Sequence, residues 1–169
     1  LEVLAECRQP VGIVTKNNLI LRDRDLLASL AAHRAVAVYI SVTTLDAQLA
    51  GVMEPRTARP ASRLETIAKL RAAGIPVGVL IAPVIPGLTD HELPAIIAAV
   101  GQAGAQYAGY VPLRLPHGVA GLFTEWLGRH FPLRQEKVLA QIRAIRGGQL
   151  NEHRFGERMR GRGILAAQI

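Results

Sequence analysis

Two polar residues stand where apolar runs stop. Lys16 closes Pro10-Val11-Gly12-Ile13-Val14-Thr15-Lys16, and Ser41 comes near the end of the run from Ala35 to Val42. An ammonium at the end of an apolar run is costly to desolvate without an anion. Lys16 should therefore meet a carboxylate or phosphate, from a ligand or from the protein, unless it snorkels into solvent. A serine hydroxyl donates and accepts, which suits a ligand hydroxyl as well as a half-buried structural bond. Glu54-Pro55-Arg56 follows, and its expected use is an internal ion pair at a loop or helix entrance.

Motifs for other chemistries are missing or broken. Neither GxGxxG nor GxxxxGKS/T follows an apolar run, so no glycine loop brings backbone N–H groups to a phosphate. His91-Glu92 starts like HExxH, but Ala95 stands where the second histidine belongs. The five histidines, His33, His91, His117, His130 and His153, form no i, i+4 pair and read as surface residues. There is no GxSxG elbow, and the single cysteine, Cys7, rules out a disulfide within the chain and any cysteine-rich metal site built by it alone.

Short β-branched runs alternate with longer segments of helical period, the order that predicts parallel strands joined by crossover helices. Strands are expected at Pro10–Lys16, Ala35–Val42, Pro76–Ile85 and Tyr107–Leu115. Helices are expected at Arg22–His33, Pro60–Ala73, Val119–His130 and Arg134–Arg146, with a further one ending near Gly104. Pro60 suits a first helical turn, and Gly74 and Gly147-Gly148 suit helix ends. Thr89-Asp90-His91-Glu92 has capping-box spacing, although Pro94 conflicts with a helix begun there. Thr43 to Asp46 reads as the start of a loop that carries Glu54, and the stretch from Gln149 to Ile169 as irregular. Leu1, Val3, Leu4 and Ala5 read as the end of an amphipathic helix whose start lies upstream.

The chain has 169 residues, half of them hydrophobic, so it can bury a core built of Val, Ile, Leu and Ala. No run suits a membrane span or signal peptide, and with one cysteine the chain reads as cytoplasmic. The net charge of +7 is concentrated late: residues 1–133 hold twelve Lys/Arg against ten acids, and residues 134–169 hold eight against three. Arg143, Arg146, Arg154, Arg158, Arg160 and Arg162 are the candidates for a nucleic-acid contact there, by charge alone.

Thr15-Lys16, Ser41-Val42-Thr43-Thr44-Leu45-Asp46, Glu54-Pro55-Arg56, Arg63-Leu64 and Ala82-Pro83-Val84-Ile85-Pro86 come in an order that resembles the later part of a known family. They look like radical S-adenosylmethionine (radical SAM) proteins of the spore photoproduct lyase-like group. Leu113-Arg114-Leu115-Pro116-His117, Glu125-Trp126-Leu127 and Arg158-Met159-Arg160-Gly161 resemble its uncharacterised bacterial branch. The resemblance implies an α/β chain forming part of a (β/α)6 barrel. It also implies a [4Fe–4S] cluster that reductively cleaves S-adenosyl-L-methionine to a 5′-deoxyadenosyl radical, with flavodoxin or ferredoxin as electron donor. By position, Lys16 would meet the methionyl carboxylate and Ser41 the ribose or methionyl end. Thr15 and Thr43 would lie beside them, and Ala82, Pro83 and Ile85 would line the adenine side.

The chain departs from that family at its centre, because the expected CxxxCxxC loop is absent. The expectation is thus a barrel portion over residues 1–116, a helical part over 117–148 and a basic Gly/Arg tail over 149–169, inactive in radical chemistry by itself. Two rivals use the same residues otherwise: a non-catalytic nucleic-acid-binding α/β module working through the tail, and a cluster-free α/β enzyme with Lys16 as anion anchor.

Overall fold

Each expected strand forms, one or two residues shorter at most ends. In a computed structural model that describes every residue except 153, 155 and 156, β1 (Val11–Thr15), β2 (Val36–Ser41), β3 (Val77–Val84) and β4 (Tyr107–Pro112) make one parallel sheet in the order β1-β2-β3-β4. The register pairs Val14 with Tyr39 and Thr15 with Ile40, then Tyr39 with Gly78 and Ser41 with Leu80. Consecutive strands lie side by side because each crossover carries a helix long enough to return the chain to the same end.

Among the described residues the helices are α1 (Glu2–Glu6), α2 (Arg24–Ala32), α3 (Ala47–Met53), α4 (Pro60–Ala72), α5 (Leu93–Gln102), α6 (Val119–His130), α7 (Gln135–Ile145), α8 (Glu157–Arg160) and α9 (Gly163–Gln168). Pro60 opens α4, and Gly74, at φ 74°, follows its end. Cys7 sits just past α1 as its exposed C-cap, not inside it.

Three expectations are corrected. The loop after Thr43 contains α3, whose N-terminus is capped by Asp46: its Oδ1 accepts from the N–H groups of Gln48 at 2.7 Å and Leu49 at 3.2 Å. The tail is not wholly irregular, since α8 and α9 form there. The Thr89–Glu92 capping box does not form. The Thr89 hydroxyl turns back to accept from Ile85 N–H at 2.8 Å, and Pro94 takes a place in the first turn of α5, where no N–H is needed. His33, His91, His117 and His130 are exposed, and His153 lies outside the described residues.

Two compact units divide the chain, Leu1–Ile81 with Pro94–Gly109, and Ala82–Leu93 with Tyr110–Ile169. In the first, Val36, Val38 and Ile40 of β2 are buried along with Leu27 and Leu30 of α2 and Ile67 and Leu70 of α4. Ala37 and Tyr39 face the other side and are half-buried, the alternation that period 2 predicts. Tyr39 lies over Gly78: a Cβ there would be 2.6 Å from the Tyr39 ring. In the second unit, Val138, Ile142 and Ile145 of α7 and Leu127 of α6 are buried, as are Leu113 and Leu115 beyond β4.

Candidate functional site

The carboxyl ends of β1 and β2 are joined by one buried carboxylate. Glu54, just past α3, forms an ion pair with the Lys16 ammonium through Oε1, and its Oε2 accepts from Arg63 Nη2 at 2.7 Å and from the Thr43 hydroxyl at 3.2 Å. Arg63 comes from α4 and is 2% exposed. Its guanidinium also donates to Ala58 O at 2.7 Å, to Ser41 O at 2.9 Å and to the Thr57 hydroxyl. Ala58 N–H in turn donates to Lys16 O at 3.1 Å, which ties the approach to α4 against the end of β1.

Burial pushes the Glu54 pKa up, but hydrogen bonds from Lys16 and Arg63, with their charges, outweigh it and hold the carboxyl below its ordinary value. Glu54 is therefore ionised at neutral pH, and the cluster of two cations and one carboxylate keeps one net positive charge. Arg63 is almost enclosed, whereas the Lys16 side chain remains 32% exposed, so the accessible positive group is the lysine.

These positions sort the sequence expectations. Lys16 does meet a protein carboxylate, from Glu54. Glu54 does make an internal ion pair, but with Lys16 and Arg63, while Arg56 is exposed. Ser41 is buried, one residue beyond the Thr15–Ile40 register pair and hence level with Lys16. Thr15 is half-buried and its hydroxyl accepts from Asn17 N–H at 3.1 Å, and the Thr43 hydroxyl, in a residue 1% exposed, donates to Glu54. Ala82 and Pro83, joined by a cis peptide bond, and Ile85 belong to the second compact unit.

The role of Arg63 had a signal in the sequence. It shares a helix face with Ile67 and Leu70, and an arginine at the head of an apolar stripe demands a buried acceptor.

The proposed nucleic-acid contacts divide as well. Arg143, Arg154 and Arg160 are exposed and Arg158 is half-buried. Arg162 pairs with Glu157 and, at 3.6 Å, with Glu152. Arg146 is a correction: it is 1% exposed and donates to four backbone carbonyls, so it does not lie on the surface that a nucleic-acid backbone would meet.

Of the groups that one end of S-adenosylmethionine would need, Lys16 offers a part-exposed cation for a carboxylate and Ser41 a hydroxyl, in a residue that is 3% exposed. The cluster is different. One cysteine cannot supply three thiolates, and among the described residues no group of three or more His, Cys, Asp or Glu could hold a metal ion. No helix of the described residues is long and apolar enough to cross a membrane.

The uncharacterized proteins Mb2609c of Mycobacterium bovis and Rv2578c of Mycobacterium tuberculosis are each 36% identical over 131 residues, 76% of this chain and 38% of theirs. The uncharacterized protein ORF301 of Acidianus two-tailed virus is 36% identical over 74 residues, 44% of this chain and 24% of its own. The chain thus spans well under half the length of these curated relatives. Residues 2–100, from α1 into α5 and including Lys16, Ser41, Glu54 and Arg63, match the Radical SAM superfamily. With more than half of its length covered by that match, this chain belongs to the Radical SAM superfamily.

Proposed function

We propose that this chain is the S-adenosylmethionine-binding portion of a radical SAM enzyme, and that Lys16 and Ser41 hold the cofactor's methionyl and ribose end. The observation that carries this reading is the fixed, part-exposed Lys16 ammonium, held by buried Glu54 level with Ser41 at adjacent strand ends, where α/β sheets bind ligands. Two of the three ammonium N–H bonds remain beyond the one given to Glu54, enough to meet a ligand carboxylate. Thr43 and Arg63 act through Glu54 as positioning residues. Ala82, Pro83 and Ile85 are assigned to the adenine side by the family resemblance.

In this reading the [4Fe–4S] cluster is bound by cysteines elsewhere in the full-length protein, and a flavodoxin or ferredoxin reduces it. The 169-residue chain is then inactive by itself in radical chemistry. A lyase-type reaction, as in the spore photoproduct lyase-like group, rests on the order of short motifs from Thr15-Lys16 to Arg158-Met159-Arg160-Gly161.

The test is calorimetric titration of S-adenosylmethionine into the cluster-loaded full-length protein. Lys16→Ala removes a charge-assisted hydrogen bond to the carboxylate and is expected to raise the dissociation constant about tenfold or more. Equal affinity in the variant overturns the assignment.

A further inference from the structure

A second cationic centre lies in the other compact unit, and the cofactor reading makes no use of it. Arg114 stands two residues beyond β4, and its Nη1 donates to a weak acceptor, the thioether of Met159 at 3.7 Å. Arg146, just past α7, is 1% exposed. It donates through Nη2 to Pro112 O at 3.0 Å and Leu113 O at 2.8 Å, and through Nη1 to Arg158 O at 2.9 Å and Glu157 O at 3.3 Å. Arg146 thus reaches the main chain next to Arg114, whose charge acts on it.

Both keep an unmade bond. The Nε–H groups of Arg114 and Arg146 are buried and have no hydrogen-bond partner among the described residues. Burial, and then the charge of Arg114, lower the Arg146 pKa, with Glu152 acting the other way. The nearby carboxylates of Glu152 and Glu157 are both engaged by Arg162, and among the described residues neither Arg114 nor Arg146 has an ion pair. Two buried cationic N–H donors within reach of each other's charge are costly. A water molecule could accept from them, but it would leave their mutual repulsion in place. An oxyanion removes both costs, and a guanidinium matches carboxylate and phosphate oxygens in geometry as well as charge.

We propose that Arg114 and Arg146 form a binding site for the oxyanion group, phosphate or carboxylate, of a ligand bound at the carboxyl end of β4. Arg146 is fixed by the four carbonyls, and Arg114, less enclosed, closes on the anion. The site goes beyond the cofactor reading and does not depend on it, since Lys16 and its partners lie in the first unit.

The test follows the arginine Nε–Hε signals by nitrogen-15 NMR while the 169-residue chain is titrated, at constant ionic strength, with inorganic phosphate, with acetate, or with chloride. No S-adenosylmethionine is present, so failure here is separable from failure of the cofactor assignment. Saturable shifts of the Arg114 and Arg146 signals with phosphate or acetate are expected, and the tighter of the two identifies the ligand group. In Arg114→Gln the dissociation constant should rise about tenfold or more. Should that variant fail to fold, Arg114→Lys keeps the charge without the Nε–H and should also bind more weakly. The absence of saturable shifts with either oxyanion, the same shifts with chloride, or unchanged affinity in the variant that folds overturns the proposal.

Discussion

Glu54 links two cations of unequal exposure, so its removal has unequal effects. In Glu54→Gln, Lys16 can turn to solvent, but Arg63 keeps a buried charge with only neutral acceptors, Ser41 O, Ala58 O and Thr57. The expected loss at neutral pH is on the order of 3 kcal/mol, measured by denaturant unfolding. The pH dependence has a definite sign. Because the folded-state pKa of Glu54 lies below its ordinary value of 4.5, the carboxylate's contribution is present above that value and is lost as pH falls through the folded-state pKa. The stability of the natural chain should decline on the acid side of about pH 4.5 more steeply than that of Glu54→Gln, and parallel acid limbs would contradict the assignment. From sequence, Lys16 and Glu54 were legible as a cation needing an anion and as half of an ion pair. Their mutual pairing was not, because 38 residues separate them and only the parallel sheet brings them together.

At the scale of elements, the period-2 and period-3.6 patterns located all four strands and the longer helices because each has a face to bury. Helix α3 escaped notice: seven residues bury only Leu49 and Ala50, so it carries almost no apolar stripe, and its Asp46 cap was the one local signal. The tail helices α8 and α9, four and six residues long, are shorter still and depend on tertiary contacts. Packing between β2 and β3 gives a sharper test. A methyl group at Gly78 would lie 2.6 Å from the Tyr39 ring, so Gly78→Ala should cost about 1–3 kcal/mol by thermal or denaturant unfolding. Tyr39→Ala in the same chain should recover much of that cost. A double-mutant cycle with no coupling would mean the ring is not held over the glycine.

For the molecule as a whole, the sheet order leaves β1 and β4 as edges among the described residues, and β1 exposes Val14 at 60%. An open strand edge with an exposed β-branched residue is a template for pairing with another chain. Concentration-dependent association by light scattering is therefore expected for the 169-residue chain, and Val14→Lys should reduce it. A monodisperse monomer at all concentrations would count against this reading. The superfamily was legible in the sequence because its short motifs keep their order, with Thr15-Lys16 and Ser41 to Asp46 at strand ends. The buried tail arginine was not, since a charge total does not reveal that Arg146 points inward to Pro112, Leu113, Glu157 and Arg158.

Arg63 and Arg146 share a habit of bonding, with consequences for how such a chain can change over time. Between them they grip the main-chain oxygens of Ser41, Ala58, Pro112, Leu113, Glu157 and Arg158, and every residue type supplies such an oxygen. The side chains at those six positions are free to drift as far as these contacts are concerned, while the two arginines are not. Divergence among descendants can thus run through the loops and tail, around two fixed guanidinium groups, without loosening the joints they make.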